Sequence, residues 1–148
     1  MPKRITLTIL FLAVAVYATQ QSNALPETLP GADSRVYKTI GETKLRLHIY
    51  QPTNRKQGNN LPAIVFFFGG GWRNGTPAQF VEHCKYLASR GMVAITVEYR
   101  VKSRHNVTPL ECIADAKSAL RWVRKNASEL GIEANRIAAG GGSAGGHL

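Results

Sequence analysis

Acidic residues are scarce in this sequence of 148 residues. Nine Asp and Glu stand against nineteen Lys and Arg, which gives a formal net charge of +10. The basic side chains are scattered along the chain and are dense only at 101–105, where no aromatic residues interleave to form a platform on which bases would stack. We therefore expect a solvated basic surface and no nucleic-acid partner.

Cysteine is scarce as well, with only Cys84 and Cys112. An exported protein could pair two cysteines, but each of these falls on the apolar stripe of a different predicted helix. We expect two free, buried thiols. The sequence shows no internal repeat and no low-complexity segment, and its length and 44% hydrophobic content suit one globular domain.

Long apolar runs are absent except at the N-terminus. There, Lys3 and Arg4 precede an uncharged run at 5–18, and Ser22 and Ala24 place small residues three before and one before a cleavage point. This is the pattern of a secretory signal peptide, and the run is shorter than the roughly 20 residues of a membrane-spanning helix. We expect a signal peptide over 1–24, a domain over 25–148, a secreted or periplasmic location and no stable membrane anchor after cleavage.

The first part of the domain reads as a β-hairpin. Residues 36–40 and 43–50 favour strands around Gly41-Glu42, and the second strand alternates apolar and polar side chains. Leu45, Leu47 and Ile49 are predicted to be buried. On the opposite face, Lys44, Arg46 and His48 are predicted to face water.

Strands and helices then alternate. Buried strands are predicted at 63–68, 92–97 and 137–139, and the two helices between them are predicted to begin at Thr76-Pro77 and Thr108-Pro109, the second with a capping box. This alternation predicts an α/β fold with a mainly parallel sheet and helices on both faces. Ligands of such sheets bind beyond the carboxyl ends of the strands, where the glycine clusters 69–71 and 140–146 lie.

The second cluster contains the motif G-x-S-x-G, formed by Gly141, Ser143 and Gly145. A serine in this motif can sit on a sharp turn between a strand and a helix, where a Cβ at either flanking glycine would clash. The backbone N–H of Ala144 would then point toward an oxyanion. Gly70 and Gly71, after a neighbouring strand, could supply further N–H donors.

Five segments in this order resemble the N-terminal half of an α/β-hydrolase, in the esterase/lipase group that includes hormone-sensitive-lipase-like and feruloyl-esterase-like members. They are Gly69 to Trp72, Glu98 to Arg100, the helix from Asp115 to Ala127, Asn135 to Ile137, and Gly142 to Leu148. The resemblance runs from about Val36 to the end of the chain.

The resemblance implies a serine hydrolase that cleaves carboxylic esters through an acyl-enzyme. Ser143 would be the nucleophile, and the N–H groups of Gly70, Gly71 and Ala144 would form the oxyanion hole. The substrate would be a small-molecule or polysaccharide-linked ester, with no metal and no organic cofactor. The family's sheet order also implies that Cys84 and Cys112 lie on opposite faces of the sheet.

Two departures from the family pattern stand out. Phe68 occupies the position before the three glycines where the family usually has histidine, so the side-chain hydrogen bonds of that histidine are lost. The acid and histidine of the family follow the serine in the chain, and both would lie beyond Leu148. The chain is therefore expected to be truncated after the nucleophile elbow and inactive as a fragment.

Two other interpretations remain open. Gly140, Gly142 and Gly145 also fit the glycine spacing of a dinucleotide-binding turn, as in a fragment of a Rossmann-like oxidoreductase. The acidic residue that such a turn requires about 20 positions later cannot be sought in this sequence, and the reading leaves residues 69–71 unexplained. A non-catalytic remnant that only binds a ligand is the third interpretation.

The N-terminal pattern generates a testable prediction. Expression in a secreting host should give a mature chain that begins near Leu25, because the signal peptidase cleaves after the small residues at 22–24. Intact-mass spectrometry of the exported product would measure this. An intact Met1 on a membrane-bound product would contradict the prediction.

Overall fold

A computed structural model describes residues 24–56, 58 and 60–148, and nearly all of the predicted signal peptide lies outside these residues. The described chain forms one five-stranded sheet in the order β1-β2-β4-β3-β5. The strands are β1 Asp33–Ile40, β2 Thr43–Tyr50, β3 Leu61–Phe67, β4 Val93–Val97 and β5 Ile132–Gly141. β1 and β2 pair antiparallel, as do β2 and β4, whereas β3 pairs parallel with both β4 and β5.

The helices connect the parallel strands. They are α1 Val81–Ser89, α2 Lys102–His105, α3 Pro109–Lys125 and α4 Ala127–Leu130, with 3₁₀ helices at Pro77–Phe80 and Ser143–His147. The connection from β3 to β4 and the connection from β4 to β5 cross the sheet in opposite directions. Because such crossovers are right-handed, α1 and α3 cover opposite faces. The prediction of an α/β fold is confirmed, and the sheet is mixed.

The helix ends follow their sequence signals closely but not completely. The capping box predicted at Thr108 is present, since Thr108 donates its backbone N–H to Glu111 at 2.8 Å and its side chain accepts the N–H of Leu110. Thr76 makes no side-chain cap, and the chain after it forms a 3₁₀ turn before α1 begins. The helix predicted to begin at Thr108-Pro109 is interrupted at Asn126, which separates α3 from α4. Gly131, with a φ of 64°, ends α4.

The central strands carry the core. Every residue of β4 is buried, as are Leu45, Leu47 and Ile49 on β2. Cys84 and Cys112 are both buried and free, as predicted. In the part of the chain that the structure describes, no helix has the length and hydropathy to span a membrane.

Two burial predictions are wrong. His48 was expected to face water, but it is fully buried, because β2 lies inside the sheet between β1 and β4 and its second half is buried on both faces. The segment 137–139 was expected to be a buried strand, but Ala138 and Ala139 are exposed. The reason is that β5 is an edge strand, and none of the described residues pairs with its outer side.

A buried carboxylate ties α3 to the sheet. Asp115 is fully buried and accepts hydrogen bonds from the Arg100 backbone and guanidinium, at 2.8 to 3.1 Å, and from Lys38 Nζ at 2.7 Å. Burial by itself raises the pKa of this carboxyl. The hydrogen bonds from Arg100 and Lys38 outweigh that effect, and the pKa lies below its ordinary value of 3.8.

Asp115→Asn should therefore lower the free energy of unfolding by about 3 kcal/mol, because two partly buried cations lose their counter-ion. Since the pKa is depressed in the folded state, the stabilisation is complete above the unfolded value and is lost as the pH falls through the lower folded value. Urea unfolding should show a steeper loss of stability below pH 3.8 for the wild type than for Asp115→Asn.

Glu133→Ala is the matched control for this prediction. Glu133 pairs with Arg136 at 3.1 Å, but both side chains are more than a third exposed. Solvent screens such a pair, so its loss should cost less than about 1 kcal/mol. Equal destabilisation by Asp115→Asn and Glu133→Ala would contradict the structural role given to Asp115.

Candidate active site

The two glycine clusters meet at the carboxyl ends of β3 and β5. Phe67 and Gly141 pair in register at the ends of these parallel strands, and the N–H of Gly142 donates to Phe67 O at 3.2 Å. Gly69 packs directly against the serine turn: a Cβ on Gly69 would lie 2.8 Å from Gly142 O and 3.4 Å from Ser143 Cβ. The segment 69–71 and Ser143 are therefore neighbours.

Ser143 sits on a sharp turn in a backbone conformation that side chains rarely adopt. Its φ is 49°, in the left-handed region, and the residue is exposed. A Cβ on Gly145 would lie 2.1 Å from Phe67 O, and one on Gly141 would lie 2.4 Å from the carbonyl carbon of Gly145. Both neighbours are backbone atoms that cannot rotate away, so the turn requires glycine at both positions.

Three backbone N–H groups of the two glycine clusters have no hydrogen-bond partner in the described part of the chain. The N–H groups of Gly70, Gly71 and Ala144 donate to no acceptor among residues 24–56, 58 and 60–148. Gly70 and Gly71 have φ values of 133° and 61°, which explains why glycine occupies both positions. The two loops thus hold three unused N–H donors, each within two residues of Ser143 or of Gly69, which packs against Ser143.

None of the four histidines binds the Ser143 hydroxyl within the described chain. His147 contacts the backbone, with Nδ1 2.9 Å from Ser143 O. His105 Nδ1 accepts the N–H of Val101 at 3.0 Å, and burial is the main cause that lowers its pKa. His83 packs against aromatic rings, and His48 is buried elsewhere. No three His, Cys, Asp or Glu side chains of the described residues gather as metal ligands.

The structure also contains a Ser-His-Glu array that sequence reasoning missed. Ser34 Oγ lies 2.8 Å from His48 Nδ1, and His48 Nε2 lies 3.2 Å from Glu98 Oε1. The second Glu98 oxygen accepts the Arg46 N–H at 3.1 Å. His48 is fully buried, and Ser34 lies opposite it in the β1–β2 ladder. The array therefore joins β1 and β2 to the end of β4.

Two comparisons with known proteins decide the family. The sequence profile of the BD-FAE family matches residues 47–148. Carboxylesterase NlhH of Mycobacterium tuberculosis is 33% identical in an alignment of 139 residues that covers 91% of this chain and 42% of NlhH.

The chain belongs to the BD-FAE family. Other relatives carry related descriptions: the cocaine esterase of Oryctolagus cuniculus is 31% identical over 72% of this BD-FAE chain and 21% of its own length. A thermophilic esterase from Thermogutta terrifontis has a similar structure, with a TM-score of 0.78 and 57% identity over 80% of this chain and 42% of its own. The BD-FAE chain therefore spans about two fifths of the length of NlhH and of this esterase. Its fold is that of part of an α/β-hydrolase.

Gly145→Ala should destabilise this BD-FAE chain by about 2 kcal/mol or more, because a methyl group 2.1 Å from Phe67 O forces two backbone segments apart. The measurement is urea unfolding, with Gly140→Ala as the matched control. Gly140 has an ordinary φ, and its Cβ would make ordinary contacts with the Phe66 side chain at 3.4 Å and Ile64 Cδ1 at 4.0 Å. A Gly145→Ala protein as stable as Gly140→Ala would contradict the close packing of the turn.

Proposed function

We propose that this chain supplies the nucleophile and the oxyanion hole of a serine hydrolase that cleaves carboxylic esters. One observation carries the proposal: Ser143 stands exposed on a left-handed turn that lies against Gly69 and beside three unused N–H groups. The esterases among its relatives support the reaction class.

In the proposed reaction, Ser143 Oγ attacks the carbonyl carbon of the ester and loses its proton to a general base. Negative charge moves to the carbonyl oxygen, where the N–H groups of Gly70, Gly71 and Ala144 stabilise it. The C–O bond to the alcohol then breaks as the alcohol oxygen receives the proton. This leaves an acyl-enzyme on Ser143, which water cleaves in a second attack of the same kind.

The described residues place no general base at the Ser143 hydroxyl. We propose that the acid and the histidine belong to sequence beyond Leu148 in the complete protein, consistent with the 42% of NlhH that the chain covers. The 148-residue chain by itself would then be inert, since loss of triad members costs several orders of magnitude in rate.

We propose small-molecule esters of short carboxylic acids as substrates. The Thermogutta terrifontis esterase was solved with propionate and with butyrate bound. A small cleft adjoins the glycine segment 69–71 and is lined by Gly71, Trp72, Arg73, Lys102, Val107 and Pro109. Faster hydrolysis of an acylated polysaccharide than of p-nitrophenyl butyrate would point to the polysaccharide-linked class instead. The N-terminal pattern supports the further proposal that the enzyme acts after export.

A fluorophosphonate probe tests the nucleophile. It should label the complete protein, should fail to label Ser143→Ala, and should leave the 148-residue chain unlabelled because no base activates the hydroxyl. Organophosphorus agents modify the related esterase from Thermogutta terrifontis, which makes this class of probe suitable. Fluorescence on a gel and peptide mass spectrometry provide the measurement.

Ser34→Ala is the control, because the Ser34 hydroxyl has a histidine partner, His48, whereas the Ser143 hydroxyl has none among the described residues. Its labelling should equal that of the wild type. Labelling that persists in Ser143→Ala would place the nucleophile elsewhere. Stoichiometric labelling of Ser143 in the 148-residue chain would mean that a base is present within it.

A further inference from the structure

Side chains bind both the carbonyl oxygen and the N–H of the Phe68–Gly69 peptide. This peptide leads into the segment 69–71, which we call the glycine loop. The hydroxyl of Tyr99 donates to Phe68 O at 2.6 Å, and the N–H of Gly69 donates to Gln79 Oε1 at 2.6 Å. We propose that Gln79 and Tyr99 are positioning residues that fix the direction of the Gly70 and Gly71 N–H groups. The inference rests on the proposed function, because it assigns these residues to the oxyanion hole of that reaction.

The loop needs such a restraint because its donors are glycines. Gly70 and Gly71 have positive φ values and no side chains that could pack, so local sterics leave many alternative conformations open. A peptide unit is planar, and fixing its C=O and its N–H therefore fixes the whole plane from which the next residue departs. The Phe68–Gly69 unit is held in this way, and the donors begin at the next residue.

Phe68 explains why the restraint comes from other residues. Its side chain cannot form a hydrogen bond, and it is fully buried in a stack with Tyr99, with ring centroids 4.1 Å apart at an angle of 15°. The stack brings the Tyr99 hydroxyl to the carbonyl of Phe68 itself. Phe68 and Tyr99 thus contribute packing and a hydrogen bond at the position where the esterase/lipase group usually has histidine.

Gln79 connects the glycine loop to the serine turn. It is exposed on the 3₁₀ helix Pro77–Phe80, which β4 anchors through a hydrogen bond of 2.8 Å from Thr96 Oγ1 to Pro77 O. A Cβ built on Gly142 would lie 3.5 Å from Gln79 Nε2, so the amide group lies over the residue that precedes Ser143. The same amide occupies the N–H of Gly69, which leaves Gly70 and Gly71 as the free donors of the loop.

The experiment uses the complete esterase with Gln79→Met, Tyr99→Phe and the double variant. Each single change removes one hydrogen bond and keeps the size of the side chain. We expect kcat to fall about tenfold for each, which is less than the ~100-fold loss of a donor itself, with KM for p-nitrophenyl butyrate unchanged. The inhibition constant of butylboronic acid, whose adduct with serine carries an oxyanion-like oxygen, should rise by the same factor.

Two matched controls separate positioning from stability. Tyr37→Phe removes a hydroxyl that donates to Glu98 O at 2.7 Å, and Gln51→Met removes a side-chain acceptor of Arg55. Neither hydrogen bond involves residues 69–71. Their thermal stability is expected to fall as in the test variants, while kcat and the boronic acid constant stay at wild-type values.

The outcomes separate the positioning role of Gln79 and Tyr99 from the proposed hydrolase function. Full activity in Ser143→Ala would overturn the proposed function. Activity lost in Ser143→Ala but unchanged kcat and boronic acid inhibition in Gln79→Met and Tyr99→Phe would overturn the positioning role alone. Equal losses of kcat in the test variants and in Tyr37→Phe or Gln51→Met would also overturn it, because the effect would then follow general stability.

Discussion

The carbonyl oxygen of Phe67, at the end of β3, is the point on which the candidate site depends. It accepts the N–H of Gly142 at 3.2 Å, and it lies where a Cβ of Gly145 would come within 2.1 Å. A turn can approach a strand end this closely only without side chains. Because β3 lies between β4 and β5 in the parallel part of the sheet, this contact fixes the serine turn to the middle of the three parallel strands.

The positive φ of Ser143 follows from that contact. A chain that leaves β5 and must pass beneath Phe67 O has to reverse within two residues, and the left-handed conformation of Ser143 provides the reversal. Such a conformation costs of order 1–2 kcal/mol and persists only where the surroundings determine it. The cost is offset by the buried strands and by the ion cluster around Asp115, which holds α3 on the sheet behind the site.

The two serines with histidine neighbours show what distinguishes a structural array from a candidate site. Ser34, His48 and Glu98 form a continuous chain of hydrogen bonds, but His48 is fully buried, so an ester cannot reach it. Ser143 has no base among the described residues but is exposed beside unused N–H donors. Acyl transfer needs access for the ester and donors for the oxyanion as well as a base, and the buried array offers only the base.

Sequence alone predicted the bounds of β2, those of β3 and β4 to within two residues, the capping box at Thr108 and the glycines around Ser143. Each of these depends on local periodicity, local capping or a local clash. Tertiary structure decided the burial of His48 and the exposure of Ala138, since both depend on which strand lies beside β2 or β5. It also decided the partners of the Phe68–Gly69 peptide. Tyr99 is 31 positions from Phe68, whose carbonyl it binds, and Gln79 is 10 positions from Gly69, whose N–H it accepts. No local sequence pattern encodes such contacts, because only the assembled sheet creates them.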